Sequence, residues 1–152
     1  AASDVYKRQR DGQSLTEKWS QGVRTLHGMH VHGFPNCFIM SNSQAGFTAS
    51  YPHMLNEQAK HLAYIIEKAI AGGVRAVEVD AHAEAEWVET CIKKARQGGE
   101  FLESCTPGYY NNEGKPGERA AQDGFYGGGS LEFIEILERW RADGHLPGMD
   151  LR

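Results

Sequence analysis

Residues 100 to 129 carry neither an apolar stripe at helical spacing nor the alternation of a strand, so the chain crosses this stretch without regular structure. Within it the run SCTPGYYNNEGKP, residues 104 to 116, joins a cysteine, two adjacent tyrosines, two adjacent asparagines, two prolines and two glycines. Loops this long in compact domains are usually functional or disordered. Whatever core the chain has must therefore come from the residues on either side.

Those flanks hold three helical patterns. Pro52 suits a first helical turn, where backbone N–H groups lack intrahelical partners. Leu55, Ala59, Leu62, Ile66, Ala69 and Ile70 then recur at helical spacing until Gly72 and Gly73 stop them, which predicts a helix over 52–71. VRAVEV, residues 74–79, alternates like an edge strand, and Asp80 stands where an N-cap belongs. A second helix is predicted over 81–97 from Trp87, Val88, Cys91, Ile92 and Ala95, ending at Gly98-Gly99. Ser130 is expected to cap a third, with Leu131, Ile134, Leu137 and Trp140 as its stripe and Gly144 as its C-cap.

Upstream, residues 16–32 read as irregular and extended, and CFIMS, residues 37–41, reads as a short buried strand bounded by turn signals. The tail HLPGMDLR reads as irregular. Three helices with a strand or two leave little sheet, and such a set is expected to close a core only by packing on something further. Residues 1–14, polar and without pattern or an initiating methionine, read as foreign or disordered.

Acids and bases, 20 against 16, are interspersed and give a net charge of −4, so no basic stripe exists to neutralise a phosphate backbone and nucleic acid is not expected as a partner. No apolar run approaches the roughly 18 residues that cross a bilayer, and no membrane association is expected. Cys37, Cys91 and Cys105 are too few and too scattered for a disulfide framework and read as reduced thiols, consistent with a cytoplasmic protein.

Several short motifs carry possible chemistry. HGMHVH places His27, His30 and His32 together, but no acidic or thiol fourth ligand stands at a familiar spacing, so structural histidines are expected and no metal. Residues 37–71 run strand, polar loop, helix, the order in which helix N–H groups face a phosphate or carbonyl oxygen. The loop SNSQAGFTAS lacks G-x-G-x-x-G and the P-loop lysine, which leaves ligand contact and a plain connection both open. FYGGGS, residues 125–130, suits a turn or a close backbone approach to a cofactor, the turn being preferred. No Ser-His-Asp order, G-x-S-x-G elbow or H-E-x-x-H helix is present, and no catalytic residue is assigned.

The string LHGMHVHGFPNCFIMSNSQAGFTASYPHML, followed by SCTPGYYNNEGKP and FYGGGSLEFIEILERW, resembles the C-terminal third of flavin-dependent Baeyer-Villiger monooxygenases over about residues 15–150. The resemblance implies an α/β fragment, mainly helical: the last strand and helix of an FAD-binding Rossmann-like domain, then C-terminal helices and a long lid-like loop. Residues 15–152 would be the C-terminal part of an FAD/NAD(P)-binding enzyme that uses NADPH and molecular oxygen to convert a ketone to an ester or lactone. It implies that Phe47, Thr48, Ala49, Ser50 and Tyr51 form the flavin-adjacent loop, and that Tyr109, Tyr110 and Asn111 face the substrate cavity from the lid. Many relatives carry a cofactor-contacting tryptophan where this chain has Thr106 or Pro107, so that contact is not carried over.

The family's two dinucleotide fingerprints, its F-x-G-x-x-x-H-x-x-x-W motif and its catalytic arginine and aspartate have no match in these residues. Alone, the chain is expected to be inactive. A stand-alone binding module derived from such an enzyme, and a piece of an N-hydroxylating or sulfur-oxidising flavin monooxygenase, are the alternatives.

Overall fold

A computed structural model describes residue 9, residues 11–104 and residues 119–152. Tyr109, Tyr110 and Asn111, with Cys105, Thr106 and Pro107, lie outside the described residues. The described chain is mainly helical, with one small two-stranded sheet.

It starts with a short helix, α1 (Leu15–Lys18), fixed by a reciprocal cap in which Ser14 Oγ accepts from Glu17 N while the Glu17 carboxylate accepts from Ser14 N. A 3-10 turn (Trp19–Gln21) follows, so residues 16–21 are helical where the sequence predicts an irregular extended segment, the Ser14–Glu17 cap having started the turn. Beyond Gly22 the chain is irregular, turning sharply at His27 (φ +54°) and Gly28 (φ +72°) so that Leu26 N donates to His30 O at 2.8 Å. A Cβ on Gly28 would lie 2.7 Å from Ala45 Cβ and 2.8 Å from the Ser43 carbonyl oxygen. The strand expected over 37–41 is reduced to a single bridge between His30 and Phe38. Among the described residues its only backbone-paired neighbour is the two-residue stretch Met29–His30, and a ladder needs a longer partner to extend.

α2 (Tyr51–Ala71) starts one residue before the predicted 52–71 and ends as predicted, with Pro52 in the first turn, and the chain leaves it through Gly72 and Gly73 (φ +65°). Its buried face is rotated from the expected stripe: Met54, Gln58, His61, Leu62, Ile65 and Ala69 point inward, while Ala59 and Ile66 are exposed and Ile70 is 74% exposed. The polar members explain the rotation, since Gln58 Nε2 is held by the Ser41 carbonyl at 2.8 Å and His61 sits among aromatic rings.

β1 (Val77–Val79) is shorter than the expected strand and all three of its residues are buried. α3 (Ala81–Ser104) is capped as predicted, the Asp80 carboxylate accepting from His82 N and Ala83 N. It runs past Gly98-Gly99; each glycine costs a helix about 1 kcal/mol relative to alanine, less than is needed to stop one already propagating. α4 (Ala120–Asp123) is a single turn that packs on α3, inside a region expected to lack helix.

α5 (Ser130–Asp143) packs against α2 and ends as predicted at Gly144 (φ +79°), but Ser130 is its first helical residue rather than its cap. Gly129 takes the cap position, with φ +89° and no side-chain hydrogen bond. Phe133 and Leu137 fill its inward face and Leu131 is exposed. The tail is not irregular: β2 (Met149–Leu151) pairs antiparallel with β1, Val77 opposite Leu151 and Val79 opposite Met149. Arg152 adds an ion pair to Glu78.

The described residues enclose a core centred on Met29, Met54, Trp87, Tyr126, Phe133 and Leu137, each 6% exposed or less. Burial of each such side chain contributes roughly 2 kcal/mol. Because Trp87 and Tyr126 come from α3 and from the segment before α5, this core draws the FYGGGS run against the loop that opens α2.

Candidate functional site

The loop between Phe38 and α2 is organised by Gln44, which is fully buried and holds φ +56°. That left-handed conformation costs a residue with a Cβ about 1 kcal/mol, and hydrogen bonds on every polar atom of Gln44 offset it. Its side-chain oxygen accepts from Thr25 Oγ1 at 2.6 Å, and its amide nitrogen donates to the carbonyls of Val23 (2.7 Å) and Gln122 (2.9 Å). Its backbone N donates to Gly124 O at 2.7 Å, and its carbonyl accepts from Trp87 Nε1 at 3.0 Å.

Downstream, Tyr126 N donates to Ala45 O at 2.8 Å. Gly46 is pressed so closely on Phe133 and Met54 that a Cβ there would lie 2.8 Å from the Phe133 ring. Three consecutive residues are thus fixed, and the five candidate positions emerge from them. Phe47 stacks on Phe125, centroids 5.2 Å apart and planes 22° from parallel. Thr48 Oγ1 accepts from Ser50 N at 3.2 Å. Ala49 and Ser50 are exposed and Tyr51 half-buried at the start of a helix of 21 residues, and the Ser50 hydroxyl makes no capping bond.

The structure therefore gathers Phe47, Thr48, Ala49, Ser50 and Tyr51 at one helix N-terminus, where backbone N–H groups and the helix dipole favour an oxygen-bearing ligand edge. Tyr109, Tyr110 and Asn111 lie outside the described residues. Sequence reasoning missed Gln44 and Phe125. Nothing local marks Gln44, since its side-chain partners lie 19 to 78 positions away.

Of the three glycines Gly127 packs on another segment, while Gly129 with φ +89° makes the turn into α5. A Cβ on Gly127 would lie 2.8 Å from the Lys94 carbonyl and from Ala95 N, so the backbone rests directly on α3. Beside it the Tyr126 ring stacks on Trp87 at 5.3 Å, and its hydroxyl donates to Glu132 at 2.9 Å. Burial and the adjacent carboxylate push the Tyr126 phenol well above its ordinary range. Hydrogen bonds from Lys94, 2.7 Å away, and from Tyr126 hold the Glu132 carboxyl below the usual range.

The histidines divide differently from their spacing. His27 and His30 are buried with His61 of α2, while His32 turns to the surface, its Nδ1 2.9 Å from the Val79 carbonyl. His27 lies edge-on to Trp87 at 4.9 Å, and His61 lies 4.8 Å from Trp140. Burial, aided by neighbouring positive charge for His27 and His61, lowers the three rings to about 3 (His27), about 4 (His30) and about 2 (His61). Among the described residues no group of three or more His, Cys, Asp or Glu could hold a metal ion, and no helix is long and apolar enough to cross a membrane.

No family model matches the sequence. It is 50% identical over 143 residues to neopentalenolactone D synthase of Streptomyces avermitilis, covering 94% of this chain and 24% of that protein. It is 39% identical over 150 residues to a Baeyer-Villiger monooxygenase of Stachybotrys chlorohalonatus, covering 98% and 24%. Among solved structures it superposes on a polycyclic ketone monooxygenase from the thermophilic fungus Thermothelomyces thermophila with a TM-score of 0.86 at 35% identity, covering 95% of this chain and 24% of that one. An oxidised steroid monooxygenase bound to NADP superposes with a TM-score of 0.77 at 25% identity, covering 94% and 25%. The chain spans about a quarter of the length of the relatives it matches.

Proposed function

We propose that this chain, which belongs to the Baeyer-Villiger monooxygenases, supplies one wall of the flavin and substrate site of an enzyme that converts a ketone to an ester or lactone. The observation that carries the reading is the fixed, partly exposed loop Phe47–Tyr51 at the start of α2, in a segment that matches such enzymes over nearly its whole length. Helix α2 and the Phe38 segment are, on this reading, the end of a Rossmann-like FAD-binding domain.

Bound FAD, with NADPH and molecular oxygen, supplies the oxygen insertion; the protein supplies positioning and exclusion of water. The residues present fit the edge of a planar ring. Backbone groups of Thr48–Tyr51 would border it, the start of α2, which has no side-chain cap, would favour its oxygen atoms, and the Phe47–Phe125 pair would offer an apolar surface to the ketone. The same reading puts Tyr109, Tyr110 and Asn111 on the substrate side and the enzyme in the cytoplasm. No proton transfer is assigned to this chain, and by itself it catalyses no turnover.

The test is a chimera. The quarter of the fungal polycyclic ketone monooxygenase that this chain matches is replaced by residues 15–152, and FAD retention and lactone formation from a polycyclic ketone are measured with NADPH. Retention of FAD with ketone-dependent NADPH oxidation supports the reading. A soluble chimera that retains no FAD overturns it.

A further inference from the structure

We infer that Gln44 is a positioning residue for ketone binding, acting through the loop Phe47–Tyr51 rather than by touching substrate; the inference rests on the function proposed above. It joins three parts of the chain at one side chain: Val23 and Thr25 in the first irregular segment, Gln122 in α4, and its own loop. Its main chain adds α3 through Trp87 and the residue that follows α4 through Gly124.

The conformation itself argues for a specific role. At φ +56° glycine or asparagine is the ordinary occupant, and a core needing only volume would be served by an apolar residue. A glutamine is required here only if both ends of its amide are used, and all of its bonds are within 3.0 Å. Two rungs then fix the stance of the loop: Gln44 N to Gly124 O and Tyr126 N to Ala45 O. They set Phe47 against Phe125, so a change at Gln44 tilts that ring pair and the exposed backbone at Ala49 and Ser50 without removing any group that meets the ligand. Gln122 reinforces the arrangement, its own Nε2 donating to Val23 O at 2.8 Å.

Four variants of the chimera test this. Gln44→Met keeps the side-chain length and removes all three side-chain bonds. Thr25→Ser keeps the hydroxyl, whereas Thr25→Val removes one of the three together with the bond that Thr25 Oγ1 accepts from Gly28 N at 3.0 Å, so the effect at Gln44 is read from Thr25→Val against Thr25→Ser. Val77→Ala, in the separate apolar cluster that Val77 forms with Ile65, Ala69 and Leu146, serves as a control for lost stability alone. The expected result is a KM for the ketone raised at least about tenfold in Gln44→Met, with kcat within about threefold and a displaced absorption band of the bound flavin. Thr25→Val should show a smaller change in the same sense, and Val77→Ala should lower the melting temperature with KM and spectrum unmoved. If Gln44→Met and Thr25→Val keep the parent KM and spectrum in a chimera that binds FAD and turns over, the inference falls while the proposed function stands. If Gln44→Met does not fold, Thr25→Val against Thr25→Ser decides by the same two readouts. A parent chimera that retains no FAD overturns the functional reading and this inference with it.

Discussion

His61 of α2 meets His27 edge-on, ring centroids 5.4 Å apart at 79°, and neither His61 nitrogen has a hydrogen-bond partner among the described residues. With His30, 6.2 Å from His61, they form a group of imidazoles that the fold keeps neutral.

Acid should therefore unfold the chain earlier than its carboxylates alone would require. The folded values lie below the ordinary 6.5, so below that pH the unfolded chain binds more protons and stability falls as pH falls. Each ring contributes a slope of about 1.4 kcal/mol per pH unit once its unfolded form is fully protonated. Urea midpoints at pH 7, 6 and 5 should drop progressively, and His61→Leu should flatten the drop; a constant midpoint would refute the assignment.

Glu84 in the first turns of α3 is 2% exposed and accepts from His32 N at 2.8 Å while pairing with Lys18 at 3.1 Å and Arg24 at 3.4 Å. Glu84→Ala leaves the mostly buried Lys18 ammonium without this carboxylate and should cost about 3 kcal/mol. Arg24→Ala, at a more exposed and longer contact, should cost less than about 1 kcal/mol. Thermal melts of the two variants distinguish them, and equal losses would contradict the ranking.

Gly127→Ala should destabilise by about 1–3 kcal/mol, because its Cβ would meet the α3 main chain rather than a movable side chain. Gly73→Ala is the comparison: no atom lies within 4 Å, so only its left-handed φ of +65° is penalised, at about 1 kcal/mol. A larger melting-temperature loss at Gly73 would contradict this packing of Gly127.

Phe47→Ala removes one half of the Phe47–Phe125 stack, an interaction of about 0.5–1.5 kcal/mol. In the chimera it should raise KM for the ketone about three- to tenfold, and Phe125→Ala should do the same. An effect at Phe47 with none at Phe125 would mean that the pair does not act as one surface.

Three helix ends were legible because they rest on local chemistry: Pro52, Asp80 and Gly144 act where their spacing predicts, whereas Gly98-Gly99 does not stop α3 and Gly129 rather than Ser130 caps α5. The inward face of α2 was not, because Gln58 and His61 are buried for partners supplied by other segments. The same reason hid β2, whose register exists only against Val77–Val79, and removed the strand at 37–41, whose neighbour is too short. The five loop positions came from family likeness alone, since neither their composition nor their spacing marks them. Gln44 escaped because a left-handed glutamine has no sequence signature.

The two rungs that join Gln44 to Gly124 and Ala45 to Tyr126 bridge residues about eighty positions apart, with α2 and α3 lying between them in the chain. Such a closure is entropically costly and forms after nearer contacts, so the loop takes its final shape late in folding. Local opening of the segment around α4 would release it while Trp87 and Phe133 still pack, so the loop can lose its shape before the core melts.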